Sequence, residues 1–325
     1  MLQIPGNSIA LREISQRDIT RLENVLAQRV KGIDEILAEP YDTIYVSFLG
    51  AGLAQAAAEL VYWPLRQLSE RNIRLVSGEE ILYHTLPYHD EHSLVILFGE
   101  PGTENLVAKT ATTVRLTGNN LVSFTAPLPA TLSQYLPEHR VEISEEPISI
   151  AFIVAAAKLV TILVDKYGGI KIRRNRVRDE YNNIAQIYDD LLEKYSQTLS
   201  NITSKLRREN TTITIYSSPT LMPASHIFEW CLSLEKYTPR VYNLSAILSH
   251  ILISNSNQQS NNIALFLLTD VETDILREAK FKLTFLQRQS IETIELIMHT
   301  DPLTAPLYAS LILIKACTEL RKTRK

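Results

Sequence analysis

The fold is decided by the stretch "TIYVSFLGAGLAQAAAELVYWPLRQL", Thr43 to Leu68. Its first seven residues form a mostly apolar run, which is typical of a strand buried in a parallel sheet. A glycine-bearing turn follows, and the remaining residues have the composition of a buried helix. A strand, a tight turn and a covering helix form the repeating unit of parallel α/β folds.

The same succession continues on both sides of this stretch. Further strands are predicted at "IRLVSG", "SLVILFG", "NLVSFTAP" and "RVEIS", and the apolar helix that begins at Pro147 closes the unit. Apolar residues near helical spacing predict one or two helices before the first strand. We therefore expect an N-terminal helical segment over residues 1–40 and a first α/β domain over residues 41–169.

The second half of the chain repeats this plan. Strands are predicted at "TTITIYS", "NNIALFLLTD" and "SIETIELIM", with helices at "ASHIFEWCLSLEKY" and "TDILREAKFKLTFLQRQ". Both halves end in an apolar helix that follows an acid and a proline and carries one lysine, Lys158 or Lys315. The shared layout predicts a second domain over residues 211–325 and a fold of two three-layer α/β/α sandwiches with parallel sheets.

A charged passage separates the two halves. Residues 170–210 are predicted to form a linker and a connecting helix, because an apolar helical pattern appears only in the second part. The basic cluster from Lys171 to Arg178 has two interpretations, a solvated linker face and a contact with an anion. The solvated face is the simpler one.

Composition restricts the class of protein. The chain has 325 residues, 45% of them hydrophobic and 21% charged, and a net charge of −3. These values predict a globular protein and argue against nucleic-acid binding. The two cysteines fit neither a disulfide framework nor a metal site, so a reducing cytoplasmic setting is expected. The apolar run from Pro147 to Val164 contains Lys158 and is short for a membrane span, so we expect a buried helix there.

Three loops could hold a ligand, because parallel sheets bind ligands at the carboxyl ends of their strands. The first contains Gly50, Ala51 and Gly52, whose backbone N–H groups could approach an anion at a helix N-terminus. The loop after the third strand offers Gly102 and Thr103.

Ser77 follows the second strand and is the third candidate. Glycine also serves tight turns for steric reasons alone, so each loop by itself has a purely structural alternative. Neither a dinucleotide fingerprint nor a Walker-type lysine occurs in the sequence, and no cofactor is expected.

These features resemble the sugar isomerase (SIS) domain. The stretch "IYSSPTLMPASHIFEWCLSLEKYTPRVYNLSAILSHI" resembles the second-domain segment of the archaeal-type bifunctional phosphoglucose/phosphomannose isomerases. In that family a helix ends in a glutamate and a histidine follows a short stretch later; here Glu235 and His250 fall at those positions. The resemblance implies two SIS-like sandwiches and aldose–ketose isomerisation of a hexose 6-phosphate without metal or organic cofactor. It also implies a homodimer in which the histidine reaches the site of the neighbouring subunit.

The sequence departs from the family pattern at several positions. Ala51 replaces a loop serine, Gly99 and Pro101 replace the serines of the phosphate loop, and Ile148 replaces an arginine that stabilises the enediolate in the family. The C-terminal catalytic lysine has no secure counterpart. Two functions therefore stay open, an active phosphosugar isomerase and a non-catalytic SIS protein that binds a sugar phosphate. An aminosugar-phosphate isomerase or deaminase is a third possibility.

Glu235 and His250 are the predicted catalytic pair. Isomerisation through an enediol needs a carboxylate base, which Glu235 would supply, and an acid or base that opens the sugar ring, which suits a neutral histidine. The alternatives are a solvated glutamate beside Lys236 and a partly buried histidine bonded to a backbone carbonyl. We expect both side chains to point into a cleft bordered by the loops at Gly50–Gly52 and Gly99–Thr103.

Overall fold

The computed structural model shows two parallel sheets with helices on both sides. It describes residues 13–88, 92–133, 135, 139–169, 171–208, 211–247, 261–286 and 291–322. The strands are β1 Thr43–Leu49, β2 Asn72–Ser77, β3 Ser93–Gly99, β4 Asn120–Thr125, β5 Arg140–Glu142, β6 Thr211–Ser217, β7 Arg240–Asn243, β8 Asn261–Thr269 and β9 Glu292–Met298.

The helices surround these strands. They are α1 Gln16–Lys31, α2 Asp34–Leu37, α3 Leu53–Leu68, α4 Gly78–Glu80, α5 Glu104–Leu116, α6 Ala130–Ser133, α7 Ile148–Tyr167, α8 Lys171–Asn182, α9 Ile184–Lys194, α10 Ser196–Leu206, α11 Met222–Leu234, α12 Thr273–Leu286 and α13 Ala305–Lys322. Short helical turns occur at Ile81–Thr85, Leu86–Tyr88, Pro219–Leu221, Leu244–Ala246 and Asp270–Glu272.

The two sheets have the same strand order over four strands. The first is ordered β2-β1-β3-β4-β5 and the second β7-β6-β8-β9. Every pairing in both sheets is parallel. In each sheet the second strand in the sequence lies on one side of the first strand, and the third strand lies on the other side. The loops after the first and third strands therefore flank a crevice at this switch point. The predicted fold of two parallel α/β sandwiches is confirmed.

One strand is absent from the sequence prediction. β7, Arg240–Asn243, pairs with β6 at an edge of the second sheet and is only partly buried. Four residues after Pro239 at an exposed edge give too short a pattern to separate a strand from a loop.

The closing helices lie in the interior of the chain. α7 packs against α1, α3 and α8, and α13 packs against α10 and α11. Ile153 and Leu313, at the centres of the two helices, are fully buried. α7 has the length and hydropathy of a membrane span, but 83% of its apolar window is buried inside the protein, as in the core helix of a globular domain. The two helices bury their apolar surface within one chain, so they give no argument for a dimer.

The passage predicted as a linker and a connecting helix contains three helices, α8, α9 and α10, packed on the rest of the protein. Val177, Tyr181 and Tyr188 are buried, and the Tyr181 hydroxyl donates to the Leu303 carbonyl at 3.0 Å. Large apolar side chains spaced along a polar sequence cover the core on one face of each helix, which overrides the charged composition. In the basic cluster, Arg176 and Arg178 form ion pairs with acidic side chains of the chain, which favours the interpretation as a solvated face.

Candidate functional site

The crevice of the first sheet is bordered by the loops after β1 and β3. Gly50 and Gly52 have φ values of 102° and 124°, a region that favours glycine, so the turn needs both residues. The two loops are joined because Glu100 N–H donates to the Leu49 carbonyl at 3.3 Å. The glycines predicted to bind a ligand therefore shape a fixed turn at the switch point of the sheet.

The side chain of Glu100 fills the anion-binding end of this turn. Its Oε1 accepts from Ala51 N–H at 3.1 Å, and its Oε2 accepts from Ala54 N–H at 3.4 Å. Burial raises the pKa of the Glu100 carboxyl, and the N–H groups of Ala54, Ala51 and Leu53 oppose that rise. The start of α3 thus binds a carboxylate of the chain itself, and the binding of a ligand anion by this loop stays a prediction.

The groups predicted in the loop after β3 also have internal partners. Thr103 Oγ1 donates to the Glu100 carbonyl at 2.8 Å, and Gly102 N–H donates to Glu104 Oε1 at 2.8 Å. Gly102 has a φ of 94°, and the space where its Cβ would lie is open. A ligand phosphate would have to displace these bonds or bind beside them.

Ser77 and Ile148, two further positions considered in the sequence, both have structural roles here. Ser77 Oγ accepts from Glu80 N–H at 3.1 Å and so caps a short helix. Ile148 begins α7 and packs, partly buried, against the main hydrophobic core. The position at which the resemblance requires an arginine is therefore apolar.

Helices α3 and α11 form the seam between the two halves, and they run antiparallel. The Cα of Gly52 lies against Trp230, since a Cβ added to this glycine would be 2.8 Å from the Trp230 Cβ. Further along, His226 contacts Gln55 and Glu59. Residue numbers rise along α11 as they fall along α3, so the end of α11 extends past the start of α3, on the side of the first loop.

Glu235 lies at that end of α11. It follows Trp230 by five residues, about 7.5 Å along the helix axis. Its N–H donates to the Leu232 carbonyl at 3.0 Å, and Lys236, the next residue after this C-cap position, has a φ of 64°. The Glu235 side chain is 14% exposed and lies 3.9 Å from Arg321 Nε. The alternative of a solvated glutamate beside Lys236 does not hold, because the carboxylate is largely buried.

His250, the second member of the predicted pair, lies outside the described residues, together with its neighbours Ser249 and Ile251. Its distance from Glu235 therefore stays a prediction. The two cysteines, Cys231 and Cys317, are free and buried. They lie in contact, which their separation in the sequence did not indicate, and a hydrogen bond between them adds to the effect of burial in raising the pKa of Cys317.

A buried charged cluster in the seam was not predicted. His226 Nε2 lies 3.4 Å from Glu59 Oε1, and His226 Nδ1 lies 3.8 Å from Glu229 Oε2. Burial lowers the pKa of His226, but hydrogen bonds with Glu229 and Glu59 outweigh it and raise the pKa to about 9. The spacing of His226 and Glu229 on one helix could have indicated half of the cluster. The contact with Glu59, 167 residues away, could not be read from a local pattern.

This cluster predicts a pH-dependent stability. The folded pKa of His226 is about 9 against an ordinary 6.5, so its stabilising contribution is complete below pH 6.5 and is lost as the pH rises through about 9. We expect the free energy of unfolding to fall by up to about 3 kcal/mol over this range. Urea unfolding of the wild type and of His226→Gln, at pH 6.5 and 9.5, measures it. Equal pH dependence in the two proteins would show that His226 is not the responsible group.

Solved structures of other proteins have the same fold as this chain. No protein-family profile and no curated protein sequence matches the chain. A proposed phosphosugar isomerase of Bacillus subtilis superposes with a TM-score of 0.67 at 15% identity, over 94% of this chain and 95% of that chain. The C-terminal domain of glucosamine-fructose-6-phosphate aminotransferase from Francisella tularensis gives 0.66 at 11% identity, over 98% and 97%.

A third similar structure is the tagatose-6-phosphate ketose/aldose isomerase of Escherichia coli. Its TM-score is 0.61 at 11% identity, over 94% of this chain and 93% of that chain. At such identities the likeness concerns architecture alone. The chain has the fold of two parallel-sheet α/β sandwiches that these proteins also have, over nearly their whole length.

Proposed function

We propose that the chain binds a hexose 6-phosphate in the cleft between the Gly50–Gly52 loop and the end of α11, and slowly interconverts its aldose and ketose forms. The observation that supports the proposal is the seam: Trp230, which lies against Gly52 at the switch point of the first sheet, precedes Glu235 by five residues on α11. A carboxylate base and a ligand crevice are thereby contributed by different halves of the chain.

Each residue of the proposed site has one task. Glu235 takes the proton from C2 of the aldose and returns it to C1, which passes through an enediol and needs no redox cofactor. His250 opens the ring by moving a proton between the ring oxygen and the anomeric hydroxyl. Arg321, beside Glu235, supplies positive charge near the enediolate oxygen, a task that Ile148 cannot perform. This arrangement lacks a dedicated phosphate loop, so we expect turnover to be slow.

A second candidate function is binding without catalysis. It is favoured by Glu100, whose carboxylate occupies the loop N–H groups, and by the internal bonds of Thr103 and Ser77. In that case a sugar phosphate would still stabilise the protein, but no isomerisation would occur.

The homodimer is a separate part of the proposal. Its support is the resemblance, in which the histidine near position 250 reaches the neighbouring subunit's site. A cytoplasmic location is likewise proposed from the two free thiols.

A ligand screen followed by an assay tests the proposed function. We expect fructose 6-phosphate, glucose 6-phosphate or mannose 6-phosphate to raise the melting temperature, while fructose mixed with orthophosphate does not. The same sugar phosphate should then be converted slowly to its isomer, with glucosamine 6-phosphate as the probe for the aminosugar alternative. Equal shifts with orthophosphate alone, or none with any sugar phosphate, would contradict the proposal.

A further inference from the structure

A basic groove runs along the open edge of the first sheet, on the far side of β2 from β1. Its volume is about 690 Å³, within the range of small-molecule sites. The residues that set its character are Arg66, Arg71, Arg74, His84, Tyr45 and Tyr62.

The arginines of the groove are not neutralised by the protein. None of the three forms an ion pair with any residue that the structure describes, although the chain as a whole has a net charge of −3. Glu80 also lines the groove, at the end near the ligand edge of the sheet. Unpaired guanidinium groups gathered in one concavity attract anions, which they bind through paired N–H donors.

Arg66 is held in place before any ligand binds. Its guanidinium carbon lies 5.5 Å from the centre of the Tyr62 ring and 6.0 Å from that of Trp63. It also donates a hydrogen bond to the Tyr62 hydroxyl, and Tyr62 is buried. A fixed guanidinium loses little freedom on binding, which favours a defined site over a diffuse charge.

Charged side chains on an edge strand also serve to prevent pairing with other sheets. That role explains Arg74, which lies within β2. It does not explain Arg66, at the end of α3, or His84, in the helical turns after β2. Basic side chains from α3, from β2 and from the helical turns after β2 line the same groove. Preventing the pairing of an edge strand would need charges on β2 alone.

We propose that this groove binds a small molecule carrying at least two phosphate or carboxylate groups. Arg71 directly precedes β2 and Arg74 lies within it, so their Cα atoms are about 10 Å apart and one oxyanion would not engage both fully. A diphosphate or a bis-anionic metabolite would span the arginines, with the apolar side chains of β2 beneath it. The site is independent of the proposed isomerase cleft, and its occupation does not require Glu235 or Glu100.

Titration of the full-length protein with inorganic pyrophosphate at low ionic strength tests the proposal. The variant Arg66→Gln/Arg71→Gln/Arg74→Gln should weaken binding at least 30-fold. The matched control Arg17→Gln/Arg173→Gln/Arg277→Gln removes the same charge from exposed positions elsewhere and should change the affinity by less than twofold.

A second variant tests the site without removing Arg66, whose loss could affect folding. Arg71→Gln/Arg74→Gln leaves the contact of Arg66 with Tyr62 intact and should still weaken pyrophosphate binding at least fivefold. The proposal would be overturned if the wild type did not bind pyrophosphate, or if the groove variant and the control lost affinity equally. It would also be overturned if the groove variant changed its oligomeric state without a change of affinity.

Discussion

Replacing Glu235 by glutamine is expected to lower isomerase turnover by about 10²–10⁴-fold, the usual contribution of a positioned base. The amide keeps the shape of the side chain at the end of α11 but cannot accept the C2 proton. The substrate KM should change little, because Glu235 acts on the reacting carbon and does not anchor the phosphate. Steady-state kinetics with the sugar phosphate identified by the screen measure both quantities.

Glu193→Gln is the matched control for this variant. Glu193 is exposed on α9, and its loss should leave turnover unchanged. If Glu235→Gln retains wild-type turnover, Glu235 is not the base, whatever activity the protein has. If neither protein turns over any sugar phosphate that binds, the non-catalytic function is the correct one.

Removing the carboxylate of Glu100 is expected to strengthen sugar-phosphate binding by about 100-fold. Two like charges about 6 Å apart repel each other by about 3 kcal/mol at an effective dielectric constant of 20, which corresponds to that factor. Glu100→Ala also frees the N–H groups of Ala51 and Ala54 that the carboxylate now occupies. Calorimetric titration with fructose 6-phosphate measures the change.

The variant Glu100→Gln separates the effect of the negative charge of Glu100 from the effect of its side chain on the loop N–H groups. The glutamine has one acceptor oxygen and can still accept from one of the two loop N–H groups, so it should give an intermediate affinity, above the wild type and below Glu100→Ala. Glu193→Gln is again the control, because Glu193 is exposed on α9 and belongs to neither loop. Weaker binding in Glu100→Ala would mean that Glu100 supports the cleft and does not compete with the ligand.

The sequence was sufficient for the fold because each local pattern agrees with the sheet. Continuous apolar runs such as Thr43–Leu49 and Ser93–Gly99 became central strands, and both became fully paired. The prediction was wrong where burial depends on distant partners. The first part of the passage after Lys171 was predicted to be a linker, yet it forms α8, whose Tyr181 is buried and bonded to the Leu303 carbonyl.

The candidate site was predictable only in part, for the same reason. Gly50 and Gly52 could be identified because a tight turn between a strand and a helix often needs the positive φ that glycine adopts most easily. The occupation of their loop by Glu100 joins residues almost fifty positions apart, and no periodicity encodes it. The contact between His226 and Glu59 likewise depends on how α3 and α11 pack, which is a property of the tertiary structure.

Proton exchange at C2 of the bound sugar shows whether the protein forms an enediol with Glu235 as the base. The protein is incubated with glucose 6-phosphate, or the preferred sugar phosphate, in deuterated buffer, and the C2 proton is followed by NMR. We expect the wild type to replace this proton with deuterium through the enediol and Glu235→Gln not to do so. A C2 proton that persists with the wild type under saturating ligand would contradict it.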